Sequence, residues 1–243
     1  MNSAIDSEKI IILDFGSQYT QLIARRIREL GVYSEILSCS TSYRKILKAN
    51  PKGIIISGGP ESVNAKNTLK ADPKILESEI PILGICYGMQ LMSKHFKGLV
   101  NTSKKREFGH AEIKLNKSKL FQDIKISILN VWMSHGDKVT KLPKGFKKVA
   151  SSKNSPIAAF ENNSIKKYGL QFHPEVTHTE KGAQILKTFV REICGCQTKW
   201  RPKNIVDKLV ADIKKQVGKK KVCLLYTSPS PRDRYGSRMP SSA

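Results

Sequence analysis

Continuous apolar runs alternate with amphipathic segments in the first part of the chain. Isoleucine and leucine fill positions 10–13 of the segment 9–13, and isoleucine fills positions 54–56 of the segment 53–57, which is typical of strands buried on both faces of a sheet. Between these runs, apolar residues recur at helical spacing from 19 to 30, and Gly31 follows them. The pattern predicts a strand, a helix that ends at Gly31, and a further strand.

The same alternation continues on both sides of the 53–57 strand. A strand is predicted at 32–37 and a short helix at 43–48, and an apolar run at 82–85 is followed at once by a helical pattern. Strands that alternate with helices form parallel sheets covered by helices on both faces. We therefore predict an α/β fold with a doubly wound, mostly parallel sheet, in which binding sites lie at the carboxyl ends of the strands.

Shorter apolar segments make up the second half of the chain. A hairpin-like stretch is predicted at 98–115, and a helix at 179–193 follows the last strand. The polar segment 134–137 is interpreted as a loop that lines a pocket, in which His135 is equally consistent with a pocket wall and with a residue that fixes the loop. His110 is interpreted as a structural loop residue. The strands predicted in this half lie at 127–132, 147–150, 157–161 and 168–172.

Cys86 has the most distinctive surroundings, at the junction of the 82–85 strand and the following helix. Gly84 and Gly88 flank it at minus two and plus two, which is the cysteine form of the nucleophile elbow. A turn this tight has no room for side chains at the flanking positions, and a helix N-terminus favours a thiolate. We predict that Cys86 is a nucleophile; the alternative is a buried structural cysteine.

Two further motifs follow other predicted strands. Gly58-Gly59-Pro60 lies on the same rim as Cys86, where its backbone amides suit half of an oxyanion hole, although such a sequence also forms plain turns. His173 and Glu175 are two residues apart in an extended segment and so project to the same side. A carboxylate beside an imidazole holds its tautomer, as in a hydrolytic triad. The alternative is a turn with a surface ion pair.

Composition limits the classes of protein that remain. The 243 residues are 39% hydrophobic, enough for an ordinary core, and no apolar run approaches the about 18 residues of a membrane-spanning helix. The net charge of +23 is scattered, so we predict neither a nucleic-acid partner nor a membrane. Five irregularly spaced cysteines and the absence of a signal pattern predict a reduced, cytoplasmic protein. Cys194 and Cys196 are interpreted as unpaired thiols, and no metal site is predicted.

Three motifs together carry a resemblance to a known family: G-G-P at 58–60, G-I-C-Y-G-M-Q at 84–90 and Q-F-H-P-E at 171–175. In this combination, the chain resembles the class I glutamine amidotransferases over about residues 9–222. Further segments are similar to the branch of that family that forms the amidotransferase domain of GMP synthases. These segments lie at 14–29, 131–137 and 197–200.

The resemblance implies a role for each motif residue. Cys86 would be the nucleophile, His173 the general base and acid, and Glu175 the residue that orients His173. The backbone amides of Gly59 and Tyr87 would form the oxyanion hole. The residues implied to hold glutamine are Gly58, Gln90, Ser134, His135, Gly136 and Asp137.

The resemblance also implies partners. Hydrolysis would need L-glutamine and no cofactor. In the complete enzyme, the ammonia would pass to a synthetase (ATP-pyrophosphatase) domain or subunit that uses ATP and magnesium to aminate XMP to GMP. A helix predicted at 203–217 would pack on that domain through its apolar stripe.

Four segments are predicted along the chain: an N-terminal tail at 1–8, the amidotransferase domain at 9–196, a linker with the start of the ATP-pyrophosphatase domain at 197–223, and an unrelated, disordered tail at 224–243. The resemblance implies a glycine-rich phosphate loop soon after residue 223, but this sequence is instead rich in serine, proline and arginine. We therefore expect a truncated chain that cannot make GMP alone and at most hydrolyses glutamine.

Two other functions stay open at this point. One is an amidotransferase or γ-glutamyl hydrolase of another pathway, against which the segments at 14–29 and 134–137 speak. The other is a non-catalytic α/β domain kept for binding a partner, such as a separate synthetase subunit. The presence of all three triad residues weakens the second alternative.

Overall fold

The computed structural model describes residues 8–198, 200, 202–218 and 220. Within them, one sheet contains nine strands. The strands are β1 (Lys9–Asp14), β2 (Tyr33–Ser38), β3 (Gly53–Ile56), β4 (Ile82–Ile85), β5 (Leu99–Leu115), β6 (Ile128–Lys141), β7 (Lys147–Ser152), β8 (Ala159–Asn162) and β9 (Lys167–Leu170).

The strand order explains how the chain builds one sheet from two halves. The order is β2-β1-β3-β4-β9-β8-β7-β5-β6. The first five strands in this order pair in parallel, and the remaining four continue the sheet with antiparallel pairing. The predicted α/β class is confirmed, with the parallel strands carrying the predicted doubly wound pattern and the antiparallel strands extending one edge.

Helices cover both faces of the sheet. These helices are α1 (Thr20–Glu29), α2 (Tyr43–Ala49), α3 (Pro73–Glu77), α4 (Tyr87–His95) and α5 (Gly182–Lys187). A further helix, α6 (Pro202–Val217), belongs to a separate unit of the chain. The last turns after α5 are π-helical, over Thr188–Ile193. The helix predicted at 179–193 thus begins three residues later than expected. In the described part of the chain, no helix combines the length and hydrophobicity that crossing a bilayer requires.

Successive side chains of the continuous apolar runs pack on opposite faces of the sheet. Because both faces are covered, these runs contain no polar positions. On β1, Ile10 and Ile12 belong to the core under α1 and α5, whereas Ile11 and Leu13 belong to the core under α2, α3 and α4. All four side chains are fully buried. A parallel strand covered by helices on both faces requires this composition.

The long β5–β6 pair corrects two expectations. The stretch at 98–115, predicted to be hairpin-like, is a single strand that pairs with β6 along most of its length, and His110 lies in it rather than in a loop. The segment 134–137, predicted to be a loop, lies inside β6, where His135 pairs with Glu107. Its polar composition suggests a loop, but buried and less buried positions alternate through it with the period of a strand.

Some predictions fall partly or wholly outside the described residues. Among them are the two tails, at 1–8 and 224–243, and the strand expected to start near 219–223. Within these ranges, the structure describes only residues 8 and 220. The chain divides after residue 201, and α6 lies in the second unit. Val210 and Ile213, two members of its predicted apolar stripe, are exposed.

Candidate active site

Cys86 lies between β4 and α4 with a backbone that few residues other than glycine adopt, at φ 51° and ψ −104°. A β carbon on Gly84 would lie 2.5 Å from the carbonyl carbon of Gly88, and one on Gly88 would lie 2.4 Å from the carbonyl oxygen of Ile56. Neither position therefore has room for a side chain. The amide of Cys86 donates to the carbonyl of Leu170 at 2.7 Å, which ties the elbow to β9.

His173 and Glu175 form a buried pair directly after β9. Nδ1 of His173 lies 2.8 Å from Oε1 of Glu175, and the two residues are 3% and 1% exposed. The backbone of His173 is fixed at both ends, because its amide donates to Trp132 O at 3.0 Å and its carbonyl accepts from Thr179 Oγ1 at 2.6 Å. The pair is therefore buried, which excludes the alternative of a turn with a surface ion pair.

The electrostatic environment favours a protonated His173. Burial acts to lower the pKa of His173, but the Glu175 carboxylate and a hydrogen bond with the Cys86 side chain outweigh it and raise the pKa to about 10. The structure places Cys86 and His173 in the lining of one cavity and joins the imidazole to the Glu175 carboxylate. A cysteine beside an imidazole that a carboxylate orients can act as a nucleophile with its own general acid and base.

The loop after β1 packs against the imidazole. Tyr19 approaches the His173 ring edge-on, with ring centroids 5.0 Å apart. Gly58 faces the same ring, since a β carbon there would lie 3.3 Å from His173 Cε1. Nε of Arg26, on α1, donates to the backbone oxygen of Glu175 at 3.0 Å. These contacts restrict the orientation of the histidine and its partner.

Two cavities meet at Cys86. One, of about 360 Å³, extends along α4 and β6, and the other, of about 300 Å³, extends towards His173 and the loop after β1. Both are lined by Gly59, Pro60, Cys86 and Ser134. The larger one is also lined by Tyr87, Gln90, Arg106, His135, Gly136 and Asp137. Gly58, which the resemblance assigns to glutamine binding, is not among the residues that line these two cavities.

A chain of buried amides runs beside the larger cavity to the sulfur. Nε2 of Gln90 donates to the backbone oxygen of Asp137 at 2.8 Å and lies 3.3 Å from Oε1 of Gln171. Nε2 of Gln171 lies 3.7 Å from Cys86 Sγ, and Cys86 Sγ lies 3.5 Å from the backbone oxygen of Ser134. Gln90 therefore braces β6 against α4 as well as lining the cavity.

Gly59 and Tyr87 both line the larger cavity beside Cys86. Tyr87 is the first residue of α4, where an amide has no partner within the helix. Its own side chain points away, with the hydroxyl bonded to Leu69 O at 2.5 Å and Thr68 Oγ1 at 2.6 Å. At Gly59, a β carbon would lie 2.9 Å from the carbonyl oxygen of Phe15, so this turn also requires glycine.

The structure brings together most of the residues expected at the site, and it adds two that the sequence reasoning left without a role. Ser134, His135, Gly136 and Asp137 all line the larger cavity, from within β6. Gln171 contacts the sulfur, and Glu107 lies 3.2 Å from Nε2 of His135. Gln171 belongs to the 171–175 motif, whereas no motif in the sequence singles out Glu107. Pairing between distant strands carries no signal in a single sequence.

Cys194 and Cys196 take no part in this site. Both are buried free thiols at the end of the π-helical segment. Burial raises the pKa of both thiols, to about 12 for Cys196, which keeps them protonated and unreactive. Among the residues that the structure describes, no group of three or more histidine, cysteine, aspartate or glutamate side chains is arranged to hold a metal ion.

The fold and the elbow define the class of protein. The chain belongs to the class-I glutamine amidotransferase family, whose sequence pattern matches residues 11–193. It is 50% identical over 225 residues to the glutamine-hydrolysing GMP synthase of Vibrio vulnificus (strain CMCP6), and 50% identical over 227 residues to that of Haemophilus influenzae (strain Rd). These matches cover 92% and 90% of this chain but 43% of each relative. The chain thus spans less than half the length of the curated relatives.

Solved structures extend the comparison to the fold. A protein of Thermoplasma acidophilum provisionally assigned as one subunit of a GMP synthase superposes with a TM-score of 0.70 at 30% identity, over 83% of this chain and 98% of that one. A glutamine amidotransferase of Thermotoga maritima superposes with a TM-score of 0.59 at 22% identity, over 87% of this chain and 93% of that one. The second likeness concerns the fold alone.

Proposed function

We propose that this chain hydrolyses the side-chain amide of L-glutamine to glutamate and ammonia, with Cys86, His173 and Glu175 as its catalytic group. One observation carries the proposal. Cys86 and His173 line the same cavity, and Nδ1 of the His173 ring lies 2.8 Å from Glu175 Oε1. The cavity of about 360 Å³ beside the sulfur has room for an amino acid.

In the first half of the reaction, the Cys86 thiolate attacks the side-chain carbonyl carbon of glutamine. A carbon–sulfur bond forms, and the carbonyl electron pair moves to oxygen, where the amides of Gly59 and Tyr87 receive the charge. One such donor is typically worth about 10²–10³ in rate. His173, protonated at the outset, gives its proton to the departing nitrogen; the carbon–nitrogen bond breaks, and ammonia leaves.

The second half of the reaction reverses the role of His173. The neutral imidazole takes a proton from water as the water oxygen attacks the thioester carbon. The carbon–sulfur bond then breaks, glutamate is released, and the thiolate and the imidazolium are restored. Glu175 holds the ring with Nδ1 towards the carboxylate, so that the other nitrogen faces the sulfur. This cycle uses only residues of the chain and needs no cofactor.

The walls of the larger cavity are proposed to hold the substrate. Gln90, Ser134, His135, Gly136 and Asp137 line it. The carboxylate of Asp137 is fixed by a short hydrogen bond from Ser62 Oγ, and so suits the ammonium group of an amino acid. Gly58 is proposed to contribute indirectly, by leaving room for the His173 ring.

The ammonia is proposed to serve the amination of XMP to GMP on a synthetase domain or subunit that binds ATP and magnesium. Two relatives support this: the Vibrio vulnificus protein is named a glutamine-hydrolysing GMP synthase, and its length is more than twice the matched part. The Thermoplasma acidophilum protein, which this chain covers almost entirely, is named as one subunit of such an enzyme. A free nucleophilic thiol suits a reducing compartment, and we propose the cytoplasm.

Glutamine turnover tests the proposal most simply. Glutamate and ammonia release is measured for the chain and for Cys86→Ser, with and without an added synthetase domain from a relative. We expect release from the chain only, increased by the synthetase domain, and GMP formation only when the synthetase, ATP and XMP are all present. Absence of glutamate release under every condition would favour a non-catalytic, partner-binding domain.

A further inference from the structure

The buried carboxylate of Glu107 lies outside the catalytic group but contacts the wall of the larger cavity. Glu107 is 8% exposed, and its Oε2 lies 3.2 Å from Nε2 of His135. Ser152 Oγ donates to Oε1 at 3.2 Å, and Ser155 Oγ donates to Oε2 through a short hydrogen bond. A carboxylate is costly to bury unless it is hydrogen-bonded in this way.

These contacts join three segments of the antiparallel part of the sheet. Glu107 is on β5, its register partner His135 is on β6, and the two serines lie at and after the end of β7. Glu107 also follows a register shift between Thr102 and itself, where β5 departs from regular pairing. The carboxylate thus fixes β6 at the place where regular pairing resumes.

Glu107 also determines how His135 is presented. The 3.2 Å approach of Glu107 Oε2 to His135 Nε2 lacks the alignment of a hydrogen bond, so Glu107 acts on the ring through close packing and its negative charge. His135 is 4% exposed and lines the larger cavity. Asp137, two residues further along β6, lines the same cavity, and its backbone oxygen accepts from Gln90 Nε2 at 2.8 Å. A change in the orientation of the His135 ring should therefore alter the position of β6, the strand that also carries Asp137.

We propose that Glu107 is a positioning residue for glutamine binding: it holds His135, and through it the 134–137 segment of β6, in the shape that the amino acid requires. The inference rests on the proposed glutamine site. It predicts that Glu107 affects occupancy of the cavity, and that it leaves the chemistry of Cys86 unchanged.

Two reagents separate these effects. A glutamine-like diazoketone must occupy the cavity before it alkylates Cys86, whereas iodoacetamide needs only the reactive sulfur. The rate of Cys86 modification is measured on the full chain against the concentration of each reagent. The variants are Glu107→Gln, Glu107→Asp, and Glu112→Gln as a matched control on the same strand, where the glutamate is exposed.

For Glu107→Gln and Glu107→Asp, we expect the half-saturating diazoketone concentration to rise about tenfold, because the carboxylate no longer holds the His135 ring in place. The maximal rate and the iodoacetamide rate should stay within about twofold of the parent chain, and Glu112→Gln should match the parent throughout. In the double variant Glu107→Gln with His135→Gln, the shift should be no larger than for His135→Gln alone, because Glu107 acts through His135.

Three results would overturn the inference. One is an unchanged half-saturating concentration in both Glu107 variants. Another is a parallel fall in the iodoacetamide rate, which would mean a general structural role. Additive shifts in the double variant would show that Glu107 does not act through His135. Failure of the diazoketone to modify Cys86 in the parent chain is distinguishable from these, and it would overturn the proposed function and the inference together.

Discussion

Nδ1 of His173 lies 2.8 Å from Oε1 of Glu175, and water has almost no access to either side chain. Burial alone would make His173 harder to protonate, and the carboxylate reverses that effect so that the pKa of the ring rises to about 10. Glu175 therefore sets the protonation state that the proposed first proton transfer requires. Removing one partner of a buried pair leaves the other without compensation.

Replacement of Glu175 by glutamine should lower kcat for glutamine hydrolysis by about 10²–10⁴-fold, because the ring loses both its orientation and its charge partner. The pH dependence of the activity is a more specific test than the fall in kcat. A raised pKa keeps His173 protonated until the pH rises through about 10, so activity of the parent chain should fall only near that pH. In Glu175→Gln, the alkaline limb should move to lower pH.

The exposed Glu180 provides a control for that experiment. Its carboxylate accepts from the amide and side chain of Asn130, away from the sulfur. Glu180→Gln should leave the alkaline limb where it is. An alkaline limb that is the same in Glu175→Gln as in the parent chain would mean that Glu175 does not control the protonation of His173.

The glycine that follows Cys86 by two residues is predicted to be essential for the fold of the elbow. A β carbon at Gly88 would meet the backbone oxygen of Ile56 at 2.4 Å, and backbone cannot move aside as a side chain can. Gly88→Ala should lower the free energy of unfolding by about 2–3 kcal/mol, measured by chemical denaturation. Gly195→Ala meets no atom within 4 Å and should cost only the about 1 kcal/mol of its positive φ. Equal losses in both variants would argue against the tight elbow.

Gln90 is predicted to support binding rather than chemistry. Its Nε2 donates to the backbone oxygen of Asp137 at 2.8 Å, and Gln90→Leu would leave that buried oxygen without its donor. KM for glutamine should rise about tenfold while kcat changes less than about threefold. Steady-state kinetics with glutamine as the varied substrate measure both values. A fall in kcat at constant KM would instead place Gln90 in the chemical step.

The parts of this account that a single sequence predicts are those with a local cause. The apolar run of β1 predicts burial on both faces, because every position must pack against a helix. The glycines around Cys86 predict the elbow, because the turn excludes side chains at those two positions. His173 and Glu175 predict a pair, because side chains two apart in an extended segment share a side.

The parts that the sequence did not predict depend on pairing between distant segments. The polar segment 134–137 was predicted to be a loop from its composition, yet β5 pairs with it and makes it a strand. Glu107 meets His135 only because of the register of that pair. Gln171 meets the sulfur because β9 lies beside β4. These partners are set by tertiary structure, which overrides local preference.

The helix α6 is predicted to be weakly stabilised. Val206, Val210 and Ile213 are 58%, 44% and 55% exposed, and a helix of this length is marginal in water without tertiary packing. Its amides should exchange with deuterium about 10²-fold or more faster than those of α1, where Ile23 and Ile27 are fully buried. Hydrogen exchange followed by mass spectrometry measures both helices at once. Equal protection of α6 and α1 would contradict this prediction.

The central claim is that Cys86 is the nucleophile of a glutamine site, and covalent labelling tests it most directly. The full chain is treated with the glutamine-like diazoketone, digested, and mapped by mass spectrometry, with and without excess glutamine. Cys39, Cys194 and Cys196 serve as internal controls, because they are free thiols that line neither of the two cavities at Cys86. We predict one adduct, on Cys86, which glutamine suppresses. No adduct on Cys86, or an adduct that glutamine does not suppress, would contradict the claim.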